Sequence, residues 1–159
     1  MEEAGYCSDP RDVHVYPGVP EALGRLREAG FRLVLVTNQN GIARGIITEE
    51  QYRAVEAEFL RQLAPAWLDA TYFCPDPPGS PRRKPEPAMV MEAAAHFGID
   101  LGASYFVGDK ASDIECGRRA GTRTVLVRTG YGLQHVDCGA DFTVADAGTA
   151  VELIVGRIS

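Results

Sequence analysis

No two of the four cysteines stand close together: Cys7, Cys74, Cys116 and Cys138 are spread along the chain. Such spacing excludes a dense disulfide framework and points to reduced thiols, hence a cytoplasmic protein. Basic residues are also in short supply. Sixteen Lys and Arg against twenty-two Asp and Glu leave a net charge of −6. That balance argues against nucleic-acid and membrane-surface partners and leaves room only for a local basic pocket. No apolar run approaches the roughly 20 residues that span a bilayer. The opening Met1-Glu2-Glu3-Ala4 has no apolar signal core. Repeats and low-complexity tracts are absent. What is present is ordinary globular composition, 45% hydrophobic and 24% charged over 159 residues. A chain of this size buries about 70% of its unfolded surface and needs no staples, so residues 1–159 read as a single domain.

Apolar stretches alternate between two periods. Val19, Ala22, Leu23, Leu26 and Ala29 recur at helical spacing before Gly30. Residues 31–37 form an apolar run expected as a strand covered on both faces. Thr48 and Gln51 have capping-box spacing ahead of a helix with Tyr52, Val55 and Phe59 on one face. A short strand is expected over 70–74, a helix from Glu86-Pro87 to Phe97, a strand over 104–107, and a helix over 111–120 that stops at Gly121. A strand over 124–127 and a helix capped by Asp146 complete the chain. The breaker cluster over 74–81 reads as a rigid loop inside the domain. This alternation predicts an α/β sandwich with a mostly parallel sheet, whose first helix has no strand before it.

Ligands of open α/β sheets sit at the carboxyl ends of the strands. Thr37-Asn38-Gln39-Asn40-Gly41 follows one such end and offers a hydroxyl and amides to an oxyanion or to sugar hydroxyls. The plainer reading is a polar turn. Arg82-Arg83-Lys84 precedes a helix start and makes either an anion site or a solvated basic turn. Gly108-Asp109-Lys110-Ala111-Ser112-Asp113 follows a third strand. Asp109 can ligate a hard cation, Lys110 can neutralise a phosphate, and Asp113 can support either one or cap a helix. No nucleophile is evident. His14, His96 and His135 fall outside the strand-end motifs, and Thr37 lacks a neighbouring base.

These residues carry a resemblance. Val36-Thr37-Asn38-Gln39-Asn40-Gly41-Ile42-Ala43-Arg44-Gly45, Tyr72-Phe73-Cys74-Pro75, Arg83-Lys84-Pro85 and Val107-Gly108-Asp109-Lys110-Ala111-Ser112-Asp113, in that order, resemble the haloacid dehalogenase superfamily. The resemblance is to its heptose bisphosphate and histidinol phosphate phosphatases. It implies a Rossmann-like three-layer fold and Mg²⁺-dependent hydrolysis of a small phosphorylated sugar or polyol. It further implies that Thr37, Arg83 and Lys84 serve catalysis by holding the transferring phosphate. Gly5, Tyr6, Thr37, Asn38, Gln39, Asn40, Arg83, Lys84 and Lys110 are implied to contact substrate. Asp109 is the implied Mg²⁺ ligand, with Asp113 supporting it.

Two departures from the family pattern shape the expectation. The opening Asp-x-Asp-Gly-Thr strand, which supplies the nucleophile and the acid/base, has no match here. The chain therefore reads as a domain lacking its central first strand, inactive alone and prone to self-association through strand edges. A non-catalytic phosphosugar-binding protein is the alternative, and a receiver-like signalling module a distant third. Cys74 also stands alone where relatives carry a cysteine-rich loop, so no structural zinc is expected.

Overall fold

A computed structural model describes residues 7–158; Gly5 and Tyr6 lie outside the described residues. The chain divides into two compact units, Met1–Ser80 and Pro81–Ser159. The division falls at the end of the proline-rich loop.

The first unit holds α1 (Val19–Glu28), β1 (Val34–Asn38), α2 (Glu49–Leu63) and β2 (Ala70–Cys74). α2 begins as the sequence dictates. The Thr48 hydroxyl accepts from Gln51 N–H at 3.0 Å, and the Gln51 side chain accepts from Thr48 N–H at 2.8 Å, closing a capping box. The apolar face of α2 buries Tyr52, whose ring lies 4.8 Å from that of Phe73. Val55 and Phe59 are half-buried, and Glu56 is buried on the same helix. Burial and the neighbouring Glu56 push the Tyr52 phenol up to about 12. β1 and β2 pair in parallel, Val34 opposite Ala70 and Asn38 opposite Cys74.

β1 starts at Val34 rather than Phe31, and the reason is electrostatic. Asp69, immediately before β2, accepts Leu33 N–H at 2.8 Å, while its own N–H donates to Leu33 C=O at 2.7 Å. Arg27 of α1 grips the same carboxylate at 3.0 Å. One side chain thus ties the starts of both strands to the end of α1.

The second unit holds α3 (Ala88–Phe97), β3 (Tyr105–Gly108), α4 (Ala111–Ala120), β4 (Arg123–Val127), β5 (Phe142–Val144) and α5 (Ala147–Ile158). Gly98 and Gly121 end α3 and α4 in left-handed conformations. Asp146 accepts Thr149 N–H at 2.8 Å at the start of α5. β4 is central and parallel to both neighbours, in the order β3-β4-β5. Its Thr124, Val125, Leu126 and Val127 are buried, with Val144 and Ala150 in the same core. Asp141 repeats the role of Asp69: it accepts Thr124 N–H at 2.8 Å at the head of β4.

One further expectation needs correction. β5 is a strand the sequence did not reveal; at three residues it is too short to show an alternating pattern. The described strands make two hydrogen-bonded parallel sheets, β1-β2 and β3-β4-β5. Val107 on β3 is 40% exposed.

Asp69 yields a prediction. Burial pushes its carboxyl up, but the Arg27 guanidinium, the Leu33 N–H and Arg32 outweigh that and hold it below the usual carboxylate range. Its folded pKa is therefore below the unfolded value of about 3.9. The stability it supplies is complete above that value and is lost as pH falls through the folded value. Asp69→Asn should cost about 1–3 kcal/mol at neutral pH, because a buried charge-assisted network loses its anion. Urea unfolding of both proteins as a function of pH should show that gap shrinking on acidification below about pH 4. A gap independent of pH would contradict the assignment.

Candidate active site

In the first unit the polar run leaves the end of β1. Thr37 pairs in register with Phe73, and Asn38 with Cys74. Gln39 N–H donates to Cys74 C=O at 2.7 Å, which carries the ladder one bond past the strand. The Gln39 amide then folds back and donates to the Thr37 hydroxyl at 3.0 Å. Asn40 and Gly41 open a turn whose carbonyls accept from Arg44 and Ile46 N–H at 3.1 and 2.9 Å. The strand thus delivers Thr37 half-buried with its hydroxyl already oriented. Cys74 is fully buried beneath that edge.

In the second unit the predicted residues converge. Lys84 Nζ donates to Asp113 Oδ1 at 2.6 Å, with both side chains almost wholly buried. Asp113 Oδ2 accepts the N–H groups of Asp109 and Lys110, each at 3.2 Å. Asp113 therefore caps the start of α4 and secures the turn at the end of β3 with one carboxylate. The turn needs glycine at 108: a Cβ there would lie 2.3 Å from Asp113 Cβ. Both carboxylate oxygens of Asp113 are thus engaged, one with Lys84 and one with the turn.

Asp109 differs. Its Oδ2 accepts Tyr131 N–H at 3.0 Å, which fixes the carboxylate plane. Lys110 Nζ sits 4.4 Å over the centre of the Tyr131 ring. Arg83 lies in the turn before α3, its carbonyl accepting Glu86 N–H at 2.9 Å. Arg82 is salt-bridged to Glu92 on α3. Cys116 is buried near this cluster, and burial pushes its thiol up to about 11, which suits a packing role and not a nucleophilic one. Among the described residues, no group of three or more His, Cys, Asp and Glu side chains is arranged to hold a metal ion.

Tyr131 and Gly130 are the residues that sequence reading missed. Their signal was available: they follow β4, and strand ends were the places to look. The Thr129-Gly130-Tyr131-Gly132 segment carries neither a charged nor an amide side chain, so it did not stand out among them.

The chain is similar to several known proteins. Residues 81–147 match the model of the HAD-hydrolase-like family. The chain is 42% identical over 143 residues to the D-glycero-D-manno-heptose-1,7-bisphosphate 7-phosphatase of Chlorobaculum tepidum, covering 79% of this chain and 71% of that protein. It is 37% identical to the protein of the same name from Thermosynechococcus vestitus, covering 99% of this chain and 91% of that one. The crystal structure of D,D-heptose 1,7-bisphosphate phosphatase from B. bronchiseptica, complexed with magnesium and phosphate, superposes with a TM-score of 0.89 at 30% identity. That match covers 99% of this chain and 92% of the other.

The Lys84–Asp113 pair can be tested directly. Removing one partner strands a buried charge, so Lys84→Met should destabilise the protein by about 3–5 kcal/mol. The double variant Lys84→Met/Asp113→Leu should recover part of that loss. Chemical denaturation of the parent, the double variant and each single variant measures both effects; losses that simply add would show that the pair is not coupled.

Proposed function

The chain belongs to the haloacid dehalogenase-like phosphatases, in the heptose bisphosphate branch, and from that premise we propose that its ligand is D-glycero-D-manno-heptose 1,7-bisphosphate. One observation carries the reading: Lys84, Asp109, Lys110 and Asp113 are gathered at the end of β3 by a single carboxylate. That is equipment for positioning a phosphoryl group and offsetting its charge. Residues 1–159 are taken as one phosphatase domain.

In this reading Lys84, held by Asp113, is a fixed cation for a phosphoryl oxygen. Lys110 supplies a second, more mobile one, and Arg83 a third. Thr37 offers a hydroxyl oriented by Gln39, with Asn38, Gln39 and Asn40 addressing the phosphate and the sugar hydroxyls. Mg²⁺ fits the donor set: Asp109 is a hard oxygen ligand, oriented through Oδ2, and Mg²⁺ commonly takes one or two carboxylates while keeping several waters. When bound, the ion supplies charge neutralisation at the transferring phosphoryl group. Asp109 would hold it, and Asp113 would keep the turn that carries Asp109.

The sequence contains no Asp-x-Asp, the motif that supplies the family's attacking carboxylate. We therefore assign these residues to binding and charge stabilisation and expect the chain alone to turn over far below the usual enzyme rate of about 10 s⁻¹. The same observation favours the second reading, a phosphosugar-binding protein without catalysis.

Two measurements on the full chain decide. Calorimetric titration should show saturable binding of the heptose bisphosphate, tighter than histidinol phosphate, strengthened by Mg²⁺ and weakened at least about tenfold by Asp109→Asn, a loss of about 1.4 kcal/mol. Phosphate release should be slow or absent. Ordinary turnover would overturn the assignment to binding alone, and absence of any binding would overturn the proposal.

A further inference from the structure

Lys84 and Lys110 are the only lysines in the chain, and they are held in opposite ways. Lys84 is locked against a buried carboxylate. Among the described residues Lys110 makes no ion pair; its ammonium rests on an aromatic face. The residue that provides the face also provides the N–H that orients Asp109. The backbone there is specialised for close approach. Gly130 has φ +62°, and a Cβ on it would lie 2.3 Å from Asp109 Oδ2. The turn after β4 therefore touches both charge-handling side chains of the preceding strand's turn, one through main chain and one through side chain.

We propose that Gly130–Tyr131 is a positioning element of the site, with the Tyr131 backbone setting the plane of Asp109 and the Tyr131 ring preordering Lys110 for phosphate. A free lysine stem samples many rotamers, and ordering it on binding costs side-chain entropy. A ring beneath the ammonium removes part of that cost before the ligand arrives. The attraction is to the ring quadrupole, so phenylalanine can replace tyrosine while leucine cannot. The phenol oxygen has no part in it. The role in phosphate binding rests on the proposed function, whereas the placement of Lys110 does not.

Two lysines make the test clean. The full chain labelled with ¹³C-lysine gives two Hε–Cε signals, and Lys110→Arg assigns them. The Lys110 Hε signal should be shifted upfield by the ring in the parent and in Tyr131→Phe, and should return to the random-coil position in Tyr131→Leu. Tyr131→Leu should weaken binding of inorganic phosphate in the presence of Mg²⁺ by about three- to tenfold, with Tyr131→Phe near the parent value. If turnover is measurable, KM should rise by that factor while kcat stays within about twofold. Gly130→Ala should lower Mg²⁺ affinity in calorimetry without Tyr131 being touched. A Lys110 signal unchanged in Tyr131→Leu overturns the side-chain half, and parental Mg²⁺ affinity in a folded Gly130→Ala overturns the main-chain half. Should the parent bind no phosphate at all, the functional reading fails, and the lysine signal still decides whether Tyr131 holds Lys110.

Discussion

The second unit is organised around one buried ion pair. Taking Lys84 and Asp113 out of water costs several kcal/mol per ion, and the pair repays this only if its remaining hydrogen bonds are satisfied. They are satisfied by the backbone of the very turn that carries Asp109 and Lys110. The charge that holds Lys84 is thus also the cap of α4 and the clamp on the end of β3. Nothing in that arrangement is independent. Gly108 has to lack a side chain for Asp113 to approach, and the loop before α3 has to present Lys84 at 2.6 Å. A hydrophobic pair of equal volume could stabilise the fold as well or better, so net stability does not by itself account for charges here.

Carboxylates are divided between the two ends of the parallel strands. Asp69 and Asp141 stand where strands begin, and each accepts a backbone N–H at the head of the neighbouring strand. Parallel strands offer no tight turn to set their register, so these side chains do it instead. Asp109 stands where a strand ends, in the position where open α/β sheets bind ligands. Sequence alone does not separate these roles, because every one of them is an Asp next to an apolar run. Placement relative to strand direction does.

The elements that were legible in the sequence are those with local chemistry. Thr48 and Gln51 fixed the start of α2, and Gly98 and Gly121 the ends of α3 and α4, because caps and left-handed stops act over three or four residues. The strand-end motifs were legible because polar residues abruptly follow apolar ones. What was hidden depended on distant partners. The late start of β1 follows from Asp69, 36 residues away from Leu33. β5 exists because β4 offers it an edge, with Phe142–Val144 too short to declare themselves. Glu56 on the buried face of α2 ran against the apolar pattern. Tyr131 was hidden for a further reason: its contribution to Asp109 is made by an N–H, which every residue but proline possesses.

The basic residues show the same division of labour. Two lysines stand against fourteen arginines. Several arginines are paired with carboxylates: Arg27 with Asp69, Arg61 with Glu58, and Arg118 and Arg119 with Glu115. The planar guanidinium fork matches a carboxylate in two-point geometry and is well suited to such static pairing. An ammonium is a compact point charge with no preferred plane. Both lysines stand beside the β3 turn, while these arginines sit in ion pairs elsewhere. The one lysine bound to a carboxylate is then the fixed reference, and the other is free to respond because its resting partner is a ring and not a charge.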